Sequence, residues 1–266
     1  MGGTGTIPAL LVNANHLYAV VVSMLEAFAA ARTTAGVNLR TLLLPAPLSR
    51  GTAIVEGDEA HHGRVVLRLR AGEDIRVADG EGHAAPAVVT GVGRTALEIE
   101  VAEPETLPAS TAELLTVAFA VPKGDRFADL VRGLTELGVG RLLPLRCERG
   151  ERVPGNLDRV GRIAAESLKQ CQRPRLPVIG PVVGLEDLAA EPGVLVICDP
   201  YGAPAAPGTA TATTLLIGPE GGFTAEELAL LPVRTKRVRL AASILRIETA
   251  ALAAASVWVA AWEGAA

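Results

Sequence analysis

The sequence predicts a mixed α/β protein with two domains, a small β-rich domain and a larger domain built on a parallel sheet. Between Leu42 and Pro108, short runs of β-forming residues alternate with Gly/Asp turns, a pattern typical of a small barrel or sandwich. Beyond Leu114, apolar strands alternate with amphipathic helices, which is typical of a parallel sheet covered on both faces. We therefore place the domains at residues 39–108 and 109–266.

Composition predicts a globular protein of a reducing compartment. Of the 266 residues, 49% are hydrophobic, 20% are charged and only 3% are aromatic, so the core must be aliphatic. The three cysteines are widely spaced and form no CxxC pair, which argues against a zinc site or a disulfide framework. We expect no metal and a cytoplasmic location. The net charge of −4 does not exclude nucleic acid, because charge can be segregated on the surface.

Residues 1–38 are predicted to be an appendage that the fold does not need. The stretch from Pro8 to Ala31 is apolar, but Asn13 and Glu26 interrupt it. No basic residue precedes it and no clean cleavage site follows, which argues against a signal peptide or a membrane span. Ser23–Arg32 could form a short helix, and Met24 could be the true start.

In the first domain, turns rich in glycine and acidic residues separate the β segments. The predicted strands are Thr52–Val55, Val65–Leu69, Ile75–Ala78, Ala87–Val92 and Ala96–Val101. Glu59–His62 contains two adjacent histidines, which rarely share a metal ion, so we interpret this segment as a polar turn or a helix start. The Pro-containing segment Glu103–Ser110 is interpreted as a linker.

The second domain alternates strands with helices. Gly138 is expected to end the first helix and Asn156 to cap the second. The predicted strands are Leu114–Ala120, Arg141–Leu145, Val194–Cys198, Leu215–Ile217 and Val238–Leu240, and the predicted helices are Asp125–Leu137, Leu157–Gln172 and Glu248–Trp262. Gly202–Thr213, rich in Ala, Pro, Gly and Thr, is interpreted as a flexible loop.

Three of these strands are followed by segments that could form one small-molecule site. Ligands bind at the carboxyl ends of strands in parallel sheets. Cys198–Pro200, Gly218–Gly222 and Ala241–Arg246 all follow strands in this way. Glycines let a ligand approach the backbone, so the site is expected to be built mostly from main chain. Thr224 and Glu227 have the spacing of a capping box, which predicts a helix start there.

Positive charge is concentrated between Val121 and Gly180, where the sequence has twelve basic and seven acidic residues. This imbalance is a reasonable footprint for a phosphate backbone, although a solvated surface would have the same composition. The arginines that we expect to contact RNA lie in loops of this segment and in the first domain: Arg146, Arg149, Arg152, Arg173, Arg175, Arg64 and Arg68.

Two segments resemble the signature of a known family. Leu216–Phe223 resembles the GPEGG signature of the RsmE family, SPOUT-class methyltransferases that methylate N3 of a uridine in 16S ribosomal RNA. Leu240–Ala250 is similar to that family's L-G-x-R-I-L-R-x-E-T-A, with Ala241 and Ser243 replacing the usual Gly and Arg. The likeness covers roughly residues 42–262 and also includes Thr135–Val139, Glu166–Arg173, and Glu59–His62 with Val66–Arg68.

The resemblance implies a PUA-like β-barrel followed by a SPOUT α/β domain with a deep trefoil knot, an exception to the rule that chains are unknotted. It implies a homodimer with the active site at the subunit interface. It also implies S-adenosylmethionine as cofactor and 16S rRNA or the small ribosomal subunit as partner, with no membrane and no metal.

The same resemblance assigns roles within the two loops. Arg246 is expected to hold the RNA or stabilise the developing uridine anion. Glu248 is expected to cap its helix and orient Arg246 rather than act as the base. The expected cofactor-binding residues are Cys198, Leu216, Ile217, Gly218, Pro219, Glu220, Gly221, Gly222, Leu240, Ile244, Leu245 and Thr249.

Three alternatives remain open from the sequence. The protein could be a ribose 2′-O-methyltransferase of the same knotted class, which would place the methyl group on the sugar. It could be a nonenzymatic RNA-binding protein, although the retained Gly218–Gly222 loop argues against this. A nucleotide-phosphate site is disfavoured because the GxxxxGK[ST] spacing and its lysine are absent.

Overall fold

In the computed structural model, residues 39–150 and 157–264 are described, and the chain divides into two compact units. The smaller unit contains residues 39–77 and Ala84–Glu105, and the larger unit contains Ala78–His83 and the chain from Thr106 onward. The predicted appendage at residues 1–38 with its helix Ser23–Arg32, the predicted cap Asn156, and Arg152 lie outside the described residues. The domain boundary at residue 108 stays a prediction.

The smaller unit is built on a six-stranded sheet in the order β1-β3-β4-β5-β2, with β6 beside β4. Strands β2 and β4 both run antiparallel to β5. Alternate residues of these strands form an aliphatic core that includes Leu42, Ile75, Val89, Leu97 and Ile99. The elements are β1 (Thr41–Leu43), β2 (Gly51–Val55), the helix α1 (Gly57–His61), β3 (Asp74–Ala78), β4 (His83–Val92), β5 (Leu97–Val101) and β6 (Glu105–Thr106).

The predicted strand Val65–Leu69 is wrong. Helix α1 continues instead into a π-helical turn, His62–Val66. This turn lies close to the sheet because Gly63 has no side chain: a Cβ there would come within 2.6 Å of Leu97 Cδ1. Val65 and Val66 point to solvent, so their β-forming character is overridden by tertiary packing. Of the RNA-binding candidates, Arg64 lies in this turn and Arg68 follows it.

The larger unit contains a six-stranded sheet in the order β12-β10-β11-β7-β8-β9, and every neighbouring pair is parallel. The predicted parallel sheet is therefore confirmed. The strands are β7 (Leu115–Ala120), β8 (Arg141–Leu145), β9 (Val178–Ile179), β10 (Val194–Pro204), β11 (Thr213–Ile217) and β12 (Lys236–Arg239). The helices are α2 (Arg126–Glu136), α3 (Leu157–Cys171), α4 (Leu185–Leu188), α5 (Ala225–Ala229) and α6 (Ile247–Glu263).

Helix α6 carries both tryptophans of the core, Trp258 and Trp262. It packs against α2, β7 and β11. Its buried residues recur every three or four positions, which gives one continuous apolar face. They are Ile247, Ala251, Ala254, Ala255, Trp258, Val259 and Trp262.

Strand β10 differs from the sequence-based expectation. It was predicted to end at Cys198, with Gly202–Thr213 as a flexible loop, but it extends to Pro204. Cys198 and Ala203 both face Val238 of β12, so Asp199–Gly202 bulges out of the strand. Pairing with β12 on both sides of the bulge keeps Ala203 and Pro204 in the sheet, an effect that local composition does not encode.

Candidate active site

A cavity of about 430 Å³ opens at the carboxyl edge of the parallel sheet, where β10, β11 and β12 end. This volume lies within the usual range for small-molecule sites. Its walls come from the bulge Asp199–Gly202, from the signature loop, Gly218–Phe223, and from the second loop, Leu240–Arg246. The sheet therefore brings together the three segments that the sequence analysis singled out.

Most of the expected cofactor-binding residues line this cavity: Cys198, Ile217, Gly218, Pro219, Glu220, Gly221, Gly222, Leu240, Ile244 and Leu245. Leu216 is instead fully buried within the sheet. Thr249 is exposed on the first turn of α6. Several wall residues were not anticipated as cofactor contacts, notably Arg149, Tyr201 and Arg237.

The signature loop closes as a tight turn. The amide of Gly222 donates to the carbonyl oxygen of Pro219 at 2.8 Å, and Gly222 has a φ of +68°, which L side chains rarely adopt. The predicted capping box is confirmed. The Glu227 amide donates to Thr224 Oγ1 at 3.1 Å, and the Thr224 amide donates to Glu227 Oε2 at 2.8 Å. The turn is therefore held from its carboxyl side by the start of α5.

Another loop, Arg146–Gly150, follows β8 and is bonded to the signature loop. We call it the β8 loop. The second oxygen of Glu227, Oε1, accepts a hydrogen bond from the Glu148 amide at 2.8 Å. Arg149 Nη1 donates to the carbonyl oxygen of Gly221 at 2.7 Å. The Glu227 carboxylate therefore joins the β8 loop to Thr224, the residue that follows the signature loop. Glu227 is only 6% exposed, so we call this carboxylate the buried bridge.

Two cysteines near the cavity are held as neutral thiols. Burial raises the pKa of Cys198, on the cavity wall, to about 12. Burial, with a smaller contribution from the Glu227 carboxylate, raises the pKa of Cys147 to about 12. A neutral buried thiol behaves as a small apolar group, so Cys198 provides apolar surface rather than a nucleophile.

The charged groups on the cavity wall are partly paired. Arg237 of β12 lies 2.7 Å from Asp199 Oδ2 through its Nη2 atom. Asp199 was noted only as the residue after a strand, and no local pattern identified Arg237. Their pairing depends on β10 and β12 being neighbours in the sheet.

The two expected catalytic residues lie at the start of α6. Arg246 is the N-cap residue, with an exposed side chain that makes no capping hydrogen bond and does not line the cavity. Glu248 Oε1 lies 3.7 Å from Nε of Arg126, at the start of α2. Among the described residues, Glu248 Oε2 is buried and has no hydrogen-bond partner. A buried carboxylate oxygen of this kind can still accept a hydrogen bond.

The arginines expected to contact RNA differ in what they already bind. Arg146 is exposed and pairs with Glu186 at 3.1 Å. Arg173 donates to the carbonyl oxygens of Glu136 and Leu137, each at 2.9 Å, at the end of α2. Arg175 donates to the carbonyl oxygens of Leu107 at 2.7 Å and Pro108 at 3.2 Å. Arg173 and Arg175 thus satisfy main-chain carbonyls, whereas Arg146 reaches solvent.

The described residues show neither a metal-binding cluster nor a membrane-spanning helix. No group of three or more His, Cys, Asp and Glu side chains there is arranged to hold a metal ion. None of the helices described there combines the length and apolar character that crossing a membrane requires.

Family models match both parts of the chain. An RNA methyltransferase domain matches residues 110–259, which is more than half of the sequence. An RNA methyltransferase PUA domain matches residues 55–102. The larger unit thus carries the methyltransferase match and the smaller unit the PUA match.

Similar proteins and structures agree with these models. Ribosomal RNA small subunit methyltransferase E of Mycobacterium bovis is 31% identical over 83% of this chain and 92% of its own. A putative methyltransferase from Legionella pneumophila, solved with its bound cofactor SAM, has a TM-score of 0.77 at 25% identity, covering 85% of this chain and 99% of its own. The small subunit methyltransferase E of Neisseria gonorrhoeae, bound to S-adenosyl methionine, has a TM-score of 0.74 at 26% identity, over 84% and 98% of the two chains. This chain therefore belongs to the RNA methyltransferase family of the ribosomal RNA small subunit methyltransferases E.

Proposed function

We propose that this protein transfers a methyl group from S-adenosylmethionine to N3 of a uridine in 16S rRNA of the small ribosomal subunit. The observation that carries the proposal is the cavity between the bulge, the signature loop and the second loop, in a chain of this family. A ribosomal substrate is also the reason for proposing a cytoplasmic location.

The cavity suits S-adenosylmethionine in its size and chemistry. Apolar side chains such as Ile217, Leu240 and Leu245 can cover the adenine, while main-chain groups of Gly218–Gly222 can bond its edges. Asp199 provides a charged group on the cavity wall for the polar parts of the molecule. Leu216 is buried in β11 next to the wall residue Ile217, and Thr249 lies on the first turn of α6.

When bound, S-adenosylmethionine supplies an activated methyl group on a sulfonium. The chain must then orient the uridine and assist the loss of its N3 proton. Arg246 is always charged and stabilises the developing uridine anion without a proton transfer of its own. Glu248 acts as a positioning residue. Its buried Oε2 is available to accept a hydrogen bond when Arg246 or the substrate approaches.

A homodimer with the active site at the subunit interface completes the proposal, together with a deep trefoil knot in the larger unit. Ile244 is 77% exposed on the second loop, and Arg246 beside it is also exposed. An apolar side chain left in water at the edge of a cavity is explained if a second copy covers it. Light scattering should therefore give twice the chain mass.

We assign the phosphate contacts of the larger unit mainly to Arg146, Arg149 and Arg152. Arg149 uses only Nη1 to bond the Gly221 carbonyl, whereas Arg173 and Arg175 each donate to two main-chain carbonyls. On the smaller unit, Arg64 and Arg68 are the proposed RNA contacts.

The decisive experiment is methylation of small ribosomal subunits, or free 16S rRNA, from cells that lack this protein. Mass mapping of the product should find one new N3-methyluridine. A methyl group on ribose would favour the 2′-O-methyltransferase, and no transfer despite cofactor binding would favour an RNA-binding protein. Either result would overturn the proposal.

A matched pair of variants links the activity to the cavity. Gly221→Val should abolish cofactor binding, since a Cβ there already meets Arg149 Cδ at 3.3 Å and the larger side chain displaces the loop. Gly161→Val on α3, where a Cβ meets nothing within 4 Å, should bind as the parent does. Equal affinity of both variants by calorimetry would remove the signature loop from the cofactor site.

A further inference from the structure

Tyr201 is an exposed aromatic residue at the mouth of the cavity. The chain has few aromatic residues, 3% of the total, and the described Trp side chains are buried. Tyr201, by contrast, is 94% exposed while lining the cavity wall. A ring this exposed adds little to the stability of the fold and leaves its faces free for a ligand.

The bulge Asp199–Gly202 holds Tyr201 at a defined place. The Tyr201 amide donates to Asp199 Oδ1 at 2.8 Å, and Asp199 Oδ2 is paired with Arg237 at 2.7 Å. The next residue, Gly202, lies so close to β12 that a Cβ would come within 2.6 Å of the Val238 amide nitrogen. The backbone of Tyr201 is therefore held beside β12, through the Asp199 side chain on one side and through the pairing of Ala203 with Val238 on the other.

We propose that Tyr201 stacks on a base of the RNA substrate, either the target uridine or its neighbour, as that base enters the cavity. This inference rests on the proposed function. An enzyme that modifies a base atom must take the base out of its stack, and an aromatic ring replaces the lost stacking. Stacking needs one free ring face and no particular base edge, and an exposed ring provides that face.

The surroundings of Tyr201 fit a nucleotide. Arg237 is 54% exposed, and its pairing with Asp199 keeps a positive charge at the bulge that carries Tyr201, where it can approach a phosphate. Tyr201 is thus a substrate-contact residue, and the signature loop remains the cofactor site.

The test compares Tyr201→Ala, Tyr201→Phe, Tyr201→Trp and Tyr201→Leu in the full-length protein, with small subunits that lack the modification as substrate. Tyr201→Ala should raise KM for the subunit roughly 5- to 150-fold, the range for one lost base–aromatic stack. The Phe and Trp variants should stay near the parent, because each keeps a ring, whereas the Leu variant should resemble Ala. Affinity for S-adenosylmethionine should not change in any of them.

Val233→Ala is the matched control, since Val233 is fully exposed and does not line the cavity. A parental KM in Tyr201→Ala, or full activity in Tyr201→Leu, would overturn the inference. So would a loss of cofactor affinity, which would assign the ring to S-adenosylmethionine, or dissociation of a dimer, which would assign it to the partner subunit. Failure of the proposed function can be distinguished from failure of this inference, because in the first case the parent protein itself would not methylate the subunit.

Discussion

Glu227→Ala is the sharpest test of how the cofactor site is held together. The substitution removes the two carboxylate oxygens that accept from the Thr224 and Glu148 amides. Thr224 is only 8% exposed, so its amide loses a charge-assisted bond with no replacement, at a cost of about 1.5–3 kcal/mol. Glu148 is exposed and water can replace its acceptor, which lowers that cost to about 0.5–1.5 kcal/mol. Together they predict a loss of about 2–4.5 kcal/mol, a large share of the stability of a typical domain.

Urea unfolding followed by tryptophan fluorescence measures this loss, because Trp258 and Trp262 both lie in α6 of the same unit. Glu226→Ala is the control: this neighbouring carboxylate is exposed on the same helical turn, so its free energy of unfolding should change by less than about 0.5 kcal/mol. Calorimetry should also show weaker cofactor binding in Glu227→Ala, because the β8 loop is released. If Glu227→Ala unfolded within 1 kcal/mol of Glu226→Ala (roughly the net value of one ordinary hydrogen bond), the buried bridge would not hold the loops.

Three further predictions concern other parts of the chain. Arg246→Ala should lower the single-turnover rate of methylation by roughly 10²- to 10³-fold, while affinity for the cofactor stays nearly unchanged. Arg246→Lys should restore the rate only in part. A parental rate in Arg246→Ala would show that Arg246 is structural. Arg173→Ala should destabilise the protein by about 1–3 kcal/mol, because the carbonyls at the end of α2 lose their donors, and should leave the salt dependence of RNA binding unchanged. Arg149→Ala should instead lower the slope of log affinity against log salt concentration by about one unit. The reverse pattern would exchange the roles of the two arginines. Burial tends to raise the pKa of Asp79, but the His83 and Glu81 amides and the His83 imidazole outweigh it and lower the pKa below its ordinary 3.8. Asp79 therefore stabilises the fold above that value and loses its contribution as pH falls through the lowered pKa, so acid titration of Asp79→Asn should lack this component.

Local patterns were enough to predict most elements of the larger unit. Helix α6 follows from an apolar face repeated every three or four residues, and α5 from the Thr224–Glu227 capping box. The parallel sheet follows from the alternation of strands and helices. The same approach failed for Val65–Leu69, where a β-branched pair lies in a π-helical turn because Gly63 permits close packing on Leu97.

By itself the sequence determined which segments line the cavity, because glycine-rich loops after apolar strands depend only on neighbouring residues. The tertiary structure alone decided which distant groups meet there. Glu148 and Glu227 are 79 residues apart, and Arg149 and Gly221 are 72 apart, yet each pair is bonded. These contacts depend on the strand order β10-β11-β7-β8, which no periodicity encodes. The place of Tyr201 likewise depends on β12 pairing with both sides of a bulge, so the residue that we propose to meet the RNA base is visible only in the folded chain.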